Sequence, residues 1–183
     1  LIKLPDDIAC LIDHGDWYNW SAQANDTEGY YSSWTKLRNL SLQAYLSISL
    51  PNSSVNFSTI GYRDWNDTSD NSPWPISVQN DGNVRVNVSL EATNLWNTAP
   101  NPTANYQFKA DNVSGENGSF KWSSTPVTYT NVPVIDISLV GLAELNWSDT
   151  RDWAEIDLNV TVPNNEGSGS RNSIITFIAS LTE

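Results

Sequence analysis

The chain has no methionine, one cysteine, one histidine and nine lysines and arginines in 183 residues. A solitary Cys10 cannot pair within the chain, so no disulfide framework holds this fold. It is a buried thiol, a point of intermolecular linkage, or incidental. One Cys and one His exclude zinc sites built on His/Cys sets, and histidine-based triads unless His14 serves in one. His14 lies in Asp13-His14-Gly15-Asp16 and reads as a solvated turn residue. Nine basic residues against 21 acids leave a net charge of −12, which repels nucleic-acid backbones and anionic headgroups. No run reaches the roughly 18 apolar residues of a membrane helix. A basic n-region followed by an apolar h-region is also missing, and residue 1 is not Met. That is the pattern of a mature chain whose targeting segment has been removed.

Charge of either sign is sparse, at 16% of residues. Surface polarity therefore rests on 22 Asn, 23 Ser and 14 Thr. Aromatics at 11% and periodic β-branched runs exclude disorder throughout. From residue 37 the apolar period is two. Leu40, Leu42, Ala44, Leu46, Ile48 and Leu50 share one phase, which predicts a half-buried strand stopped by Pro51-Asn52. Val55 and Phe57 begin a second run ending near Tyr62. Pro75 to Gln79 is a short strand, and Asn80-Asp81-Gly82-Asn83 carries a type I′ hairpin signal. Val84, Val86, Val88 and Leu90 then alternate with polar residues. Further strands are expected at Tyr106 to Ala110, Ser119 to Ser123, Val132 to Leu139, Glu155 to Val162 and Ser173 to Leu181. The last two are joined by the turn-rich residues 163–170. The expected core includes Leu42, Leu46, Val86, Val88, Ile156, Leu158, Val160, Ile174 and Phe177. Such regular short strands predict an all-β chain, a β-sandwich of jelly-roll type over residues 37–183.

Residues 1–36 form an N-terminal extension of different character. Apolar groups sit in two islands, Leu1-Ile2-Lys3-Leu4 and Ile8-Ala9-Cys10-Leu11-Ile12, followed by a polar, aromatic stretch. Neither island can build its own core. Leu1, Ile2, Leu4, Ile8, Leu11 and Ile12 are thus expected to dock, on their own domain or as a donor segment in a neighbouring subunit.

The strongest chemical signal is N-x-[ST], at Asn19, Asn25, Asn39, Asn52, Asn56, Asn66, Asn87, Asn112, Asn117, Asn146 and Asn159. Random placement of this composition would give about four such sequons, so eleven is an excess. A glycan is bulky and hydrated, so its Asn must face outward. Asn39, Asn56, Asn87 and Asn159 all fall on the polar phase of their expected strands. A polar face of Asn and Thr would produce some N-x-T by periodicity alone, yet several further sequons lie in loops. Covalent N-linked glycans imply an extracellular or cell-surface location. Without disulfides, an archaeal or other non-reticulum export route is indicated.

Other constellations are weaker. Asp64, Asn66, Asp67, Asp70 and Asn71 crowd one loop and could offer oxygen ligands to calcium, but they lack EF-hand spacing and read as a solvated loop. Asp149, Asp152 and Glu155 read the same way. No metal and no other cofactor is expected. Paired carboxylates for glycoside hydrolysis cannot be singled out, and no catalytic residue is proposed. Nine Trp invite a carbohydrate-binding reading, with core packing or stacking on the chain's own glycans as the plainer one.

The order of motifs also suggests a family. Leu40 to Leu50, Ser54-Val55-Asn56-Phe57-Ser58, Pro75 to Gln79, then Asn80-Asp81-Gly82-Asn83 into Val84-Arg85-Val86-Asn87-Val88, closing with Ser173 to Ala179, resembles TasA/camelysin-like biofilm fibre proteins and archaeal bundling-pilus subunits. The similarity covers about residues 37 to 181 and is one of order, not identity. It implies a jelly-roll subunit whose N-terminal segment completes the sheet of the next subunit, giving a homopolymer. The arm here is longer and richer in Trp and Tyr than such donor segments. The expected function is a non-enzymatic structural subunit of an extracellular, heavily N-glycosylated filament. The alternative is a secreted or surface-layer carbohydrate-binding module.

Overall fold

A computed structural model describes the backbone of residues 17–22 and 35–41 and all atoms of 27–33 and 43–182. Its strands are β1 (Trp17–Ala22), β2 (Thr35–Ser41), β3 (Ile48–Asn52), β4 (Trp65–Asp67), β5 (Ile76–Asn80), β6 (Val86–Ala92), β7 (Tyr106–Asn112), β8 (Thr130–Asn131), β9 (Leu139–Leu145), β10 (Trp153–Thr161) and β11 (Ile175–Leu181). The larger sheet runs β3-β5-β10-β7-β8, with β4 also on β10; the smaller runs β11-β6-β9. Among the described residues all strand pairs are antiparallel, and β1 and β2 pair only with each other. The chain is all-β, in two layers consistent with a β-sandwich. Among the described residues no helix is long and apolar enough to cross a membrane.

Period-two alternation builds the core between the layers. From the larger sheet come Ile76, Val78, Tyr106, Phe108, Ala110, Ala154, Ile156, Leu158 and Val160; from the smaller, Val86, Val88, Leu90, Ala92, Leu142 and Leu145. β6 follows the expected register, with Val86 and Val88 buried and Asn87 between them on the outer face. Ile156, Leu158 and Val160 are likewise buried.

β4 and β5 lie along the same edge of β10, separated by the eight residues 68–75. Asp67 is opposite Asn159, Thr68 N–H donates to Leu158 O at 3.1 Å, and Ile76 is opposite Ile156. Thr68 is anchored from within the sheet. Its hydroxyl donates to buried Asp157 at 2.7 Å and accepts from Leu158 N–H at 3.0 Å.

Several expectations need correction. The strand over 40–50 is two strands, because residues 43–47 turn aside to the β5–β6 connection. There Tyr45 N–H donates to Asn83 Oδ1 at 2.7 Å, and Asn83 Nδ2 donates to Gln43 O at 3.1 Å. Leu46 is consequently 41% exposed, and Leu42 lies outside the described residues. Pro51 does not stop β3 but sits inside it, tolerated because β3 is an edge strand with an irregular register at that point. Residues 53–60 alternate in burial yet form no strand, since no neighbour offers a ladder. The Asp81-Gly82 step is no type I′ hairpin: neither residue has positive φ, and β5 and β6 belong to different sheets. Gly82 is required for another reason, since a Cβ there would lie 2.3 Å from Tyr45 O.

Residues 119–123 pass into a short 3₁₀ turn at Trp122–Ser124. The expected strand over 132–139 reduces to β8 before it and β9 after it, with Asp136 at φ +68° between them. In β9 the alternation is broken by register shifts against β6, so its period was hidden. Ile174 is 66% exposed, because β11 has the opposite phase: Ile175, Phe177 and Ala179 turn inward.

The register makes a prediction. Leu142→Ala, which empties a fully buried position, is expected to destabilise by about 2–5 kcal/mol, whereas Ile174→Ala should change stability by less than about 0.5 kcal/mol. Denaturant unfolding of the two variants checks both.

Candidate assembly groove

β11 pairs with β6 on one side and, among the described residues, with nothing on the other. An unpaired edge leaves backbone N–H and C=O groups without strand partners. Beside it lies a slit of about 900 Å³. Ile175 and Phe177 of β11 form one wall, and Leu50, Val55, Phe57 and Ile60 face them. The floor is Ile76, Tyr106, Leu158 and Val160 of the larger sheet, with Trp96. No residue of β6 lines the slit, so it opens on the unpaired side of β11.

The lining is mixed: these apolar side chains are joined by polar groups of residues 53–59 and 166–173. Burial pushes the Tyr106 hydroxyl up to about 12, so it stays neutral. Trp96 is held by its indole N–H, which donates to Asn105 O at 2.9 Å. Val55, Phe57 and Ile60 pack on the core from a segment, 53–60, that makes no backbone–backbone hydrogen bond among the described residues. The slit thus lies between β11, paired with β6, and residues 53–60, where Ser58 has φ +57°.

The β10–β11 connection forms the mouth, and Glu166 clips it. Its Oε2 accepts from Thr98 Oγ1 at 2.7 Å and from Thr98 N–H at 3.0 Å; its Oε1 accepts from Arg171 Nε at 2.6 Å. Arg171 also donates to Gly167 O and Ser170 O, both at 2.9 Å, closing the loop on itself. The Thr98 hydroxyl bond is the main reason the Glu166 carboxyl is held down at about 2, with the Thr98 amide and the Arg171 guanidinium adding to it. Next along the chain, Ile174 N–H donates to Thr93 Oγ1 at 2.9 Å and Ser173 Oγ to Thr93 O at 2.6 Å. The start of β11 is therefore pinned while its outer edge is left open.

The sequons fall into different environments. Asn56 and Asn117 are exposed, while Asn52, Asn66, Asn87, Asn112 and Asn159 are half-buried. Asn52 Nδ2 donates to Pro75 O, Asn87 Oδ1 accepts from Glu144 N–H at 3.0 Å, and Asn159 Oδ1 is enclosed without a partner. Asn146 is buried, its Oδ1 accepting from Trp147 and Ser148 N–H at 2.8 and 3.2 Å. Asn19 and Asn39 lie in β1 and β2, whose side chains are outside the described residues, as is Asn25. The arm residues Leu1, Ile2, Leu4, Ile8, Leu11 and Ile12 also lie outside them, as do Cys10 and His14.

The acidic groups do not converge. Asp64, Asp67 and Asp70 each accept from backbone N–H groups one or two residues ahead, closing local turns. Asp149 is exposed, Asp152 accepts from Gln79 Nε2 at 2.9 Å, and Glu155 lies on the outer face of β10. Beside Glu155, Lys109 bridges Asp157 at 3.3 Å and Asp111 at 3.2 Å. Burial first, then Asp157 and Asp111, pushes the Glu155 carboxyl up. Among the described residues no group of three or more His, Cys, Asp or Glu could hold a metal ion. Of the tryptophans, Trp65, Trp74 and Trp122 are exposed and Trp96 is buried; Trp122 stacks on Phe120 at 5.5 Å. The lining of the groove was not legible in the sequence, because it joins residues 50–60, 95–96, 158–162 and 166–177, which only the fold brings together.

No protein-family model matches this chain, and neither the curated proteins nor the solved structures contain a significant match.

The Glu166 clip predicts a pH dependence. A carboxyl whose pKa is lowered on folding adds stability above its usual value of 4.5, and that contribution fades as pH falls from there toward about 2. Glu166→Gln should remove this dependence between pH 4.5 and 2 and lower thermal stability at pH 7. Melting temperatures of both chains across that range check it.

Proposed function

We propose that this chain is a non-enzymatic structural subunit of an extracellular, N-glycosylated filament, assembled by strand donation between subunits. The observation that carries the reading is the open edge of β11 beside an apolar slit. A jelly roll places four strands in each of two sheets. Here the larger sheet has six strands, β3-β5-β10-β7-β8 with β4 on β10, and the smaller has three, β11-β6-β9, so a fourth strand beside β11 would bring the smaller sheet to the jelly-roll number. An extended segment entering there satisfies the edge and covers Ile175 and Phe177. If the segment comes from the next subunit the contact is heterologous, and repetition gives a fibre. The surplus of sequons supports the extracellular location, and glycans on exposed Asn56 and Asn117 would hydrate a surface with little charge.

A second reading, a secreted carbohydrate-binding module, is favoured by one observation. Tyr62, Trp65 and Trp74 are all more than 60% exposed around β4. Exposed rings of this kind offer stacking faces to sugars.

Native material separates the two. A filament subunit sediments as high-mass polymer visible by electron microscopy, and its glycopeptides carry sugar at Asn56 and Asn117, with Asn146 bare. Soluble monomer retained on polysaccharide would contradict the filament reading. Unmodified peptides at Asn56 and Asn117 would contradict the glycoprotein reading.

A further inference from the structure

The smaller sheet is irregular opposite one of its sequons. Val86 faces Leu145 and Val88 faces Leu142, so two steps along β6 meet three along β9. The extra residue of β9 makes a bulge across from Asn87. Glu144 in that bulge has φ +52°, a left-handed backbone that residues with side chains rarely adopt. Lys121 and Thr125, which flank the 3₁₀ turn, hold the bulge from outside the ladder. Lys121 N–H donates to Ala143 O at 2.8 Å, and Ala143 N–H donates to Thr125 Oγ1 at 3.0 Å. The Lys121 ammonium pairs with the Glu144 carboxylate. So held, the Glu144 N–H donates to Asn87 Oδ1 at 3.0 Å.

That bond orients the amide. Oδ1 is committed to β9, while Nδ2, on the other arm of the planar group, points away from Glu144 and is not enclosed. Nδ2 is the atom that bears an N-linked sugar. Asn52 is the opposite case, since its Nδ2 is spent on Pro75 O. Asn87 also borders a hollow of about 540 Å³ on the outer face of the smaller sheet. Ser180, directly opposite Asn87 on β11, lines it with Ser124 and Thr182, and Val140 and Leu181 add apolar surface. Glu144 is the one charged residue on this hollow, and its carboxylate is already paired with Lys121. Hydroxyls beside small apolar groups, with no free charge, suit a neutral ligand that has hydroxyl edges and C–H faces.

We propose that this hollow seats a sugar carried by Asn87 itself, with the β9 bulge holding the amide in the orientation that directs the sugar there. The inference rests on the glycoprotein reading and gives one of its glycans a part in the fold. The seated sugar covers Val140 and Leu181, the latter 52% exposed without it, and ties β6 to the end of β11. The occupant belongs to the same chain because its point of attachment is part of the lining.

Glycopeptide mass spectrometry of the unaltered native chain is the first test, and sugar at Asn87 is expected. Bare Asn87 beside modified Asn56 and Asn117 would overturn the proposal while leaving the glycoprotein reading intact. Bare peptides at all three positions would overturn both. The second test reads the seating. Ser89→Ala removes the sequon but keeps the Asn87 amide and its bond to Glu144. Made in the native host, this variant should melt about 3 °C or more below the unaltered chain. Asn117→Gln, which removes a glycan from an exposed loop position, should melt within about 1 °C of it. In chain produced without N-glycosylation, Ser89→Ala should leave the melting temperature unchanged. A glycosylated chain that melts no higher than its Ser89→Ala variant would overturn the seating, as would an equal loss from Ser89→Ala in chain that carries no sugar.

Discussion

Backbone hydrogen-bonding groups must be paired or solvated, and among the described residues β11 has a strand partner on only one side. Its inward side chains face a slit rather than a fourth strand, so the smaller sheet ends where its core should be covered. An unpaired apolar edge normally invites uncontrolled association. Here it sits recessed between β11 and the 53–60 segment, with the mouth set by the Glu166 clip.

The rest of the molecule keeps this gap in place with polar side chains acting on backbone. Buried Asn80 donates to Val84 O at 2.8 Å and Leu145 O at 3.1 Å and accepts from Gly82 N–H at 3.0 Å, joining the β5–β6 connection to the end of β9. Asn83 holds residues 43–45 beside it. Thr68 and Asp157 secure the join between β4 and β5 across β10. A chain with one cysteine and few ion pairs thus uses short amides and hydroxyls where others use disulfides. Abundant Asn thus closes turns and pairs backbone groups.

The all-β class and the phases of β6 and β10 were legible because period-two burial is a local property of each strand. Val86, Val88, Ile156, Leu158 and Val160 needed no knowledge of partners. Pairing did need it. Residues 53–60 alternate like a strand but have no neighbour, whereas β9 pairs well although bulges against β6 erase its alternation. Residues 43–47 follow the phase of a strand, yet Asn83, distant in sequence, draws them off. At the start of β11 two apolar residues in succession, Ile174 just before it and Ile175 in it, left the phase ambiguous, and only the contact with the core resolves it. The groove belongs to this same class: it is the absence of a strand, and no residue pattern marks where a partner is missing.

The most direct test of the account is amide hydrogen exchange followed by mass spectrometry, comparing soluble chain with assembled filament. If the open edge of β11 is the assembly site, amides in residues 175–181 and 53–57 exchange at least tenfold more slowly after assembly, while those of β6 and β10 change little. Filaments in which both segments exchange as fast as in the soluble chain would contradict it.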